Sequence, residues 1–465
     1  MAGRSAEHGA PDRDAGARHS ADYQPAARSV CLPASRSRAG FARCRAMNEG
    51  EIVAGLLSAD EQLMSAGDKG AFDASAEAGD PVAPVAAVSP LGSNAWPDET
   101  PVFTRTSLDS LLIWAFRLGA SDIRIATNRR VFIHFHGRLL PVTTRGLTDM
   151  EVEEAVNRLY SADGAARLKG GEDFDVSYEL MPDRRSRMRF RVNATAILSR
   201  GDDGAAIVAR TLPSIAPSLT DLKVEPAILA AYRPRDGIVI VAGGTGNGKS
   251  TLLAGMTRSM LEDPNSHRAI LEFSSPIEFV FDDVPGSSAV LEPSEVPRHI
   301  PNFAAGIRNA MRRTPSVIIV GECRDDETIT AAVDAAITQH AVYTTIHASR
   351  LADTLQRVIS LCPDGKRRAL TVSFAQSLRL IVNQRLVAST DGRRTPIREF
   401  LVFDDKLRRR FLDADPERWP ALAQDTVEEG IHGQSFGVAI KRARDEGRIT
   451  ADEAHARLKE LGYAD

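Results

Sequence analysis

The sequence has few cysteines, and this limits the kind of stabilisation it can use. Its 465 residues include four cysteines, and no two of them form a CxxC pair. A zinc module and a disulfide scaffold both need closely spaced cysteine pairs, so we expect neither. We therefore expect no zinc, and a chain that suits a reducing cytosol.

Long apolar runs are also absent. The longest uninterrupted ones are short, such as residues 238–242 and 111–116. A membrane-spanning helix needs about 18 or more apolar residues, so the sequence predicts no transmembrane helix. No apolar segment follows the first basic residues, and we expect no secretory signal.

Neither sign of charge dominates. Lys and Arg total 58, Asp and Glu total 62, and the formal net charge is −4, while aromatic residues make up 6%. A nearly neutral chain has no overall electrostatic attraction to nucleic acid. A motor that tracks single strands would need basic residues interleaved with aromatic ones, and no such stretch stands out. We expect no direct nucleic-acid partner.

Residues 1–100 differ from the rest, because they are rich in Ala, Gly, Ser, Pro and Arg and show no sustained apolar period. Such a stretch cannot bury enough apolar surface to offset its ordering entropy. We predict that residues 1–104 are a disordered tail and linker. Residues 1–46 form either a basic interaction tail or a segment upstream of a translation start at Met47; we favour the second because they contain no motif.

Residues 105–222 alternate amphipathic helices with strands, which predicts a small α+β domain. Ser107 should cap a helix that ends at Gly119, and a second helix is expected over residues 148–160. Strands are expected at residues 122–126, 131–135, 174–180 and 187–196.

Residues 223–405 change to short, wholly apolar strands that alternate with helices. This pattern is typical of a parallel sheet buried on both faces, and it predicts an α/β fold. Residues 406–465 are expected to be helical, with helices at 435–446 and 450–461. The predicted core strands are residues 238–242, 269–273, 317–320 and 341–346.

A phosphate-binding motif follows the first of these strands. It matches GxxxxGK[ST] and consists of Gly243, Gly244, Thr245, Gly246, Asn247, Gly248, Lys249 and Ser250. Glycines let backbone N–H groups approach phosphates, and the following helix adds its positive end. Lys249 should reach the β- and γ-phosphates, and Ser250 should hold Mg²⁺. A plain glycine-rich turn would not need these two residues, so we predict an ATP site, which Thr251 extends.

A second motif is an apolar strand, residues 317–320, that leads through Gly321 to the carboxylate of Glu322. The carboxyl ends of parallel strands line the ligand crevice of such sheets. Glu322 is therefore placed to polarise the attacking water or to order the Mg²⁺ shell. On the residues alone, a solvated acid at a strand end is the competing interpretation.

Together these motifs resemble the secretion ATPase superfamily, the PilT/DotB-like motors of type IV pili, type IV secretion and conjugation. The resemblance runs from about residue 105 to 405 and leans toward the DotB-like branch of type IVB secretion through SPIEFVFD at 275–282. The other matching segments are the phosphate loop, VIIVGECRD (317–325), QHAVYTTIHA (339–348), SDI (121–123) with HGR (136–138), RFRVN (189–193) and QRL (384–386).

This resemblance implies a RecA-like P-loop NTPase core with a mainly parallel sheet, preceded by a small α+β, PAS-like domain. It implies a homohexameric, ATP-hydrolysing motor that powers a type IV secretion, conjugative transfer or pilus machine. Its partners would be inner-membrane components of that machine, and it would lie in the cytoplasm, peripheral at the inner face of the membrane. Two other classes stay open: a RecA-like nucleic-acid motor, and a nucleotide-binding scaffold without turnover.

The resemblance also implies roles for single residues. Glu322 and Lys249 would act in catalysis, and His347 would sense the γ-phosphate, while the role of His340 stays open. Arg200 and Arg210 match arginines that reach the nucleotide in this family. We expect the other matching arginine of that domain, Arg191, to lie at the surface or at an interface.

One motif departs from the family pattern. The acidic box EDPIE reads SSPIE here, so Ser274 and Ser275 replace two acidic residues and Glu278 remains as the expected metal-shell carboxylate. Glu272 lies two residues before Ser274 on the same strand face, but roughly 6.6 Å further back. Whether Glu272 substitutes for the missing carboxylate stays open.

Overall fold

The computed structural model describes residues 95–183, 186–213 and 215–463, all within one compact unit that spans Ala87–Asp465. Of the tail predicted for residues 1–104, residues 1–94 lie outside the described residues, as does the start at Met47. The described part consists of a smaller N-terminal domain followed by a larger one.

The N-terminal domain is an antiparallel sheet covered by helices, in the strand order β3-β2-β1-β6-β5-β4. Helix residues Leu108, Leu111 and Val152 are buried against Ile123 and Phe190 of the sheet. The α+β prediction agrees with this arrangement, and the PAS-like comparison stays a prediction. The elements are α1 Arg105–Leu118, β1 Asp122–Ala126, β2 Phe132–Phe135, β3 Arg138–Pro141, α2 Asp149–Leu159, α3 Gly164–Lys169, β4 Phe174–Leu180, β5 Met188–Ser199 and β6 Asp202–Leu212.

The start of this domain differs from the sequence prediction. Thr104, not Ser107, caps α1, because the Thr104 hydroxyl accepts the backbone N–H of Ser107, which is itself buried in the first turn. Gly119, with φ 84°, ends the helix as predicted. Trp96 is buried, its backbone N–H donates to the Val142 carbonyl, and its ring meets Phe103 edge-on. The folded domain therefore starts before residue 105.

The larger domain contains an eight-stranded sheet in the order β14-β13-β12-β7-β11-β10-β8-β9. Strands β7 to β12 pair in parallel, and β13 and β14 join antiparallel at one edge. The strands are β7 Gly237–Ala242, β8 Ala269–Ser274, β9 Val290–Glu295, β10 Val317–Val320, β11 Ala341–Ile346, β12 Leu378–Ala388, β13 Arg394–Val402 and β14 Gly433–Gln434. The helices are α4 Pro226–Ala231, α5 Lys249–Glu262, α6 Phe303–Ala310, α7 Asp326–Ile337, α8 Leu351–Leu361, α9 Arg367–Ser377, α10 Asp405–Asp413, α11 Trp419–Glu429, α12 Phe436–Asp445 and α13 Ala451–Glu460.

Burial explains why the central strands are apolar throughout. All residues of β7, β10 and β11 are buried. Alternate side chains of β7 face opposite layers: Ile240 packs with α7 to α9, and Val241 packs with Leu252 and Met256 of α5. The predicted mixed, mostly parallel α/β fold is confirmed. It places the carboxyl ends of β7, β10 and β11 at one edge, where ligands bind in such sheets.

The antiparallel hairpin β12–β13 was not predicted, and it carries the C-terminal helices. Val387 and Ile397 of the hairpin pack with Phe436, Ile440 and Leu458 of α12 and α13. In the part of the chain that the structure describes, no helix combines the length and apolarity that crossing a membrane requires.

Candidate active site

The phosphate loop, residues 243–248, connects β7 to α5 at the carboxyl edge of the sheet. Gly243, Gly246 and Gly248 have φ values of 153°, 75° and 74°, a region that favours glycine. A Cβ on Gly243 would also lie 2.5 Å from the Gln384 carbonyl oxygen. The motif's glycines are therefore required both by the backbone and by close packing.

Lys249 opens α5 and points back into this loop. Its ammonium donates to the carbonyls of Gly243 and Gly244 at 3.0 and 3.1 Å, and it lies 3.5 Å from Nδ1 of His347. Burial lowers the pKa of Lys249, while the carboxylates of Glu322 and Glu278 oppose that shift. The ammonium is thus held within the loop, in reach of a bound phosphate chain.

A cavity of about 390 Å³ brings the two sequence motifs together. The loop contributes Thr245, Gly246, Lys249 and Ser250, and the sheet edge and the acidic box contribute Glu322, His347 and Glu278. Gly243, Gly244, Asn247 and Gly248 complete the loop, and Thr251 continues α5. The arrangement agrees with the predicted site, whose individual roles remain predictions.

Glu322 is oriented by two neighbours. One carboxylate oxygen lies 2.5 Å from Nη2 of Arg324, and the other lies 3.4 Å from Nε2 of His347. Burial lowers the pKa of His347, and the Lys249 ammonium lowers it further. A neutral imidazole that accepts from Lys249 at Nδ1 must carry its proton on Nε2, where it faces Glu322. His340 lies away from this site, because it bonds the Ala335 carbonyl oxygen at the opposite end of β11.

Glu278 of the acidic box lines the cavity. Ser274, which replaces an acidic residue of that box, forms a hydrogen bond with Glu272. The Ser274 hydroxyl donates to Oε1 of Glu272 at 2.6 Å. Burial raises the pKa of Glu272, which favours its neutral form. Among the residues described, no cluster of three or more His, Cys, Asp or Glu side chains could hold a metal ion. Ser250 and Glu278 could instead complete a Mg²⁺ shell with phosphate oxygens and water, as Mg²⁺ prefers.

Arg191, which we expected at the surface or at an interface, is partly exposed and lines the cavity where the two domains meet. Its guanidinium forms a two-point pair with Asp175, with N–O distances of 2.9 and 2.5 Å, and lies 3.8 Å from Glu278. Arg189, on the same face of β5, donates to the carbonyls of Ile277 and Glu278. The N-terminal domain therefore contacts the acidic box directly.

The two arginines that the resemblance favoured lie elsewhere in the chain. Arg210 pairs with Asp122 at 2.8 Å and its side chain is 64% exposed. Arg200 is an exposed residue of the β5–β6 turn, with φ 54°. Neither lines the cavity of its own chain. A contact of either residue with a nucleotide would therefore have to come from another copy of the chain, and their role stays a prediction.

Comparisons with known proteins identify the family of this chain. Residues 103–435 match the family model described as Type II/IV secretion system protein. A twitching motility protein of Neisseria gonorrhoeae is 35% identical over 70% of this chain and 84% of its own length. The type IV pilus retraction ATPase PilT of Pseudomonas aeruginosa is 28% identical over 76% of this chain and 98% of its own length.

Two solved structures extend the similarity to three dimensions. The ATPase DotB of Legionella pneumophila is 40% identical, with a TM-score of 0.74 over 80% of this chain and 99% of that one. The pilus retraction motor PilT with bound ADP is 26% identical, with a TM-score of 0.63 over 75% of this chain and 95% of that one. The family match covers well over half of the chain. The chain therefore belongs to the type II/IV secretion system protein family and is a P-loop ATPase of the secretion and pilus type.

Proposed function

We propose that this chain is a Mg²⁺-dependent ATPase that works as a ring of six copies and powers a type IV secretion or conjugative transfer machine. The observation that carries the proposal is that the phosphate loop, Glu278 and Glu322 line the same cavity. The similarity to the solved DotB structure, at 40% identity, supports the DotB-like branch over the pilus retraction branch, whose solved PilT structure is 26% identical.

The residues divide the chemistry among themselves. Lys249 and the loop N–H groups bind the phosphates, and Ser250 and Glu278 would hold Mg²⁺. When bound, that ion would neutralise charge on the β- and γ-phosphates. Glu322 orients the attacking water or receives its proton, and the contacts from Arg324 and His347 keep its carboxylate in place. Cleavage of the γ-phosphate then proceeds mainly by positioning and charge stabilisation.

Movement would arise at the contact between the two domains. Arg191 and Asp175 belong to the N-terminal domain, yet Arg191 lines the nucleotide cavity beside Glu278 of the larger domain. Making or losing a γ-phosphate changes the charge that Arg191 faces, and this biases how the N-terminal domain leans on the core. In a ring, Arg200 and Arg210 would supply the corresponding contact from a neighbouring subunit. The machine's inner-membrane components would anchor the ring at the cytoplasmic face of the membrane.

ATP turnover by the purified chain tests this function. We compare wild type, Lys249→Ala and Glu322→Gln, measure phosphate release, and determine particle mass with and without ATP and DNA. Wild type should hydrolyse ATP slowly, form a roughly hexameric particle with ATP, and ignore DNA. Lys249→Ala should lose nucleotide binding, and Glu322→Gln should bind but not turn over.

The other outcomes identify the competing functions. Wild type that binds ATP but shows no turnover as a purified ring would support the assembly scaffold, because Ser274 has replaced an acidic-box carboxylate. Turnover that DNA accelerates many-fold would support a RecA-like nucleic-acid motor. Either result contradicts the proposed secretion motor.

A further inference from the structure

The phosphate loop is bonded from outside by one side chain of β12. Nε2 of Gln384 donates to the carbonyls of Asn247 and Gly248 at 2.7 and 2.9 Å. The contact is tight, since a Cβ on Gly248 would lie 2.9 Å from Nε2. Gln384 is 3% exposed, so water does not compete for these bonds. Its amide is thus part of the loop's support.

These two bonds fix the direction of the loop's N–H groups. In a trans peptide the C=O and the following N–H point in opposite directions. Holding the carbonyls of Asn247 and Gly248 toward Gln384 therefore keeps the N–H groups of Gly248 and Lys249 on the far side, toward the interior of the loop. A rotated peptide would present a carbonyl oxygen to an anionic phosphate, which is repulsive.

Arg398 determines which end of the Gln384 amide faces the loop. The two residues lie opposite each other in the β12–β13 pair, and Nε of Arg398 donates to Oε1 of Gln384 at 2.8 Å. A flipped amide would set its NH₂ group against the guanidinium and its oxygen against two carbonyls. The orientation with Nε2 toward the loop is therefore imposed by the network.

The other end of Arg398 contacts the segment at residues 215–225, which leads from the N-terminal domain into the larger one. Its Nη2 donates to Leu222 O at 2.8 Å, and its Nη1 donates to Lys223 O at 3.1 Å and to the Glu225 carboxylate at 3.0 Å. Arg398 is fully buried. One chain of direct hydrogen bonds thus runs from the interdomain segment through Arg398 and Gln384 to the phosphate loop.

A buried ion pair is weak evidence for a contribution to stability. Apolar residues of similar volume often serve as well or better. A fully satisfied polar network does, however, fix a single arrangement of the groups it joins. Arg398 and Gln384 join the phosphate loop to the segment that leads to the N-terminal domain, and the proposed mechanism couples the nucleotide to the position of that domain. This points to a role beyond packing.

We propose that Gln384 and Arg398 are positioning residues for nucleotide binding, which hold the phosphate loop in its binding conformation and tie it to the segment between the domains. The inference rests on the proposed function, in that the loop binds ATP. Displacement of the interdomain segment then changes nucleotide affinity through Arg398, although that segment does not touch the phosphates.

Gln384→Glu tests the loop end selectively. The carboxylate has the same size and accepts from Arg398, but it cannot donate to the carbonyls of Asn247 and Gly248. We expect the Kd for a fluorescent ATP analogue to rise about tenfold, as the loss of one to two hydrogen bonds implies. The protein should stay folded, with a melting temperature lowered by a few degrees, because two buried carbonyls lose their donor. Arg385→Gln is the matched control, because Arg385 is the next residue of β12 and pairs with Glu460 instead. Its Kd should stay within about twofold of wild type.

Glu225→Gln tests the end that contacts the interdomain segment. It keeps an acceptor for Arg398 but removes the charge, and we expect a Kd about threefold above wild type. In the Gln384→Glu background this change should have no further effect, because the chain of hydrogen bonds is already broken at the loop. Arg398→Met combined with Glu225→Gln is a second route, which removes the buried ion pair without leaving a lone charge.

Three results would overturn the inference. The first is a folded Gln384→Glu protein with a Kd within about twofold of wild type. The second is independent, multiplicative effects of Gln384→Glu and Glu225→Gln on Kd. The third is a folded Arg398→Met, Glu225→Gln protein that binds the analogue as wild type does. Wild type that fails to bind the analogue would instead refute the proposed function, and the inference with it.

Discussion

Replacing Arg191 with glutamine should weaken ATP binding, and replacing Arg210 should not do so in an isolated chain. Arg191 lines the cavity, and its Nη1 lies 3.8 Å from Oε1 of Glu278. Arg210 pairs with Asp122 outside the cavity. Comparing the two variants therefore distinguishes a nucleotide contact made within one chain from a contact that a neighbouring copy would have to make.

The size of the effect follows from the charges in the cavity. Unit charges 3.8 Å apart attract by roughly 4 kcal/mol at an effective dielectric of about 20. The side chains of Arg191 and Glu278 are 35% and 34% exposed, so we discount this figure for solvent screening to about 1–2 kcal/mol. Arg191→Gln leaves Glu278 and Asp175 facing an anionic nucleotide without that compensation. The Kd for ATP should rise roughly 5- to 30-fold.

The assay is titration of a fluorescent ATP analogue into protein dilute enough to be unassembled, followed by turnover of the assembled particle. Arg191→Lys should be intermediate, because lysine keeps the charge but loses the two-point geometry toward Asp175. Arg210→Gln should bind normally when dilute and lose turnover only in the assembled particle. An Arg191→Gln protein that binds as wild type would refute the assignment of Arg191 to the nucleotide site.

Three further predictions concern protonation and the acidic box. Burial and Lys249 lower the pKa of His347, so the unfolded chain binds this proton more readily and the free energy of unfolding should fall as the pH drops below 6.5. The melting temperature of His347→Gln should fall less than that of wild type over the same pH range. An equal fall in the two proteins would contradict the argument. The Arg145 guanidinium lowers the pKa of Glu151 from 4.5 to about 2, so its contribution is present above pH 4.5 and is lost as the pH falls through about 2. After a discount for solvent screening, Glu151→Gln should cost about 1–2 kcal/mol at pH 7 in urea unfolding, and little at pH 2. Glu272→Gln should leave turnover within about twofold, because the Ser274 hydroxyl already occupies Oε1 of Glu272 and burial raises the pKa of that carboxyl. Glu278→Gln should raise the Mg²⁺ concentration for half-maximal turnover about tenfold. The reverse order would make Glu272 the metal carboxylate.

The sequence predicted best those elements whose residue types are determined by a single physical rule. Strands β10 and β11 were predicted to the residue, because a strand buried on both faces must be apolar throughout. The start of α1 was wrong, because Thr104 and Ser107 both suit a helix cap and only the packed structure shows which hydroxyl is buried. Trp96 was missed because a single aromatic residue in a polar stretch gives no periodic signal.

The site was predictable where its residues are close in sequence and not where packing of distant segments builds it. The phosphate loop and Glu322 each follow an apolar strand, and the carboxyl edge of a parallel sheet brings them together. Alternation along β5 puts Arg189 and Arg191 on one face, but only the packing of the two domains shows that this face covers the cavity. Likewise, nothing in the sequence reveals that Gln384 bonds the loop at Asn247.

Under the proposed function, the altered acidic box would make metal binding depend on the nucleotide. Ser274 engages Glu272, and burial raises the pKa of Glu272, so that carboxyl is a poor ligand for a hard cation. Glu278 then remains as the acidic-box carboxylate that lines the cavity, and the Ser250 hydroxyl, which also lines it, is the second oxygen ligand that we propose. Mg²⁺ demands six oxygens in near-octahedral geometry, and two protein oxygens leave most positions to phosphate and water. Under the proposed function, phosphate oxygens and water would therefore complete the metal shell, and metal binding would coincide with the arrival of the nucleotide beside Arg191.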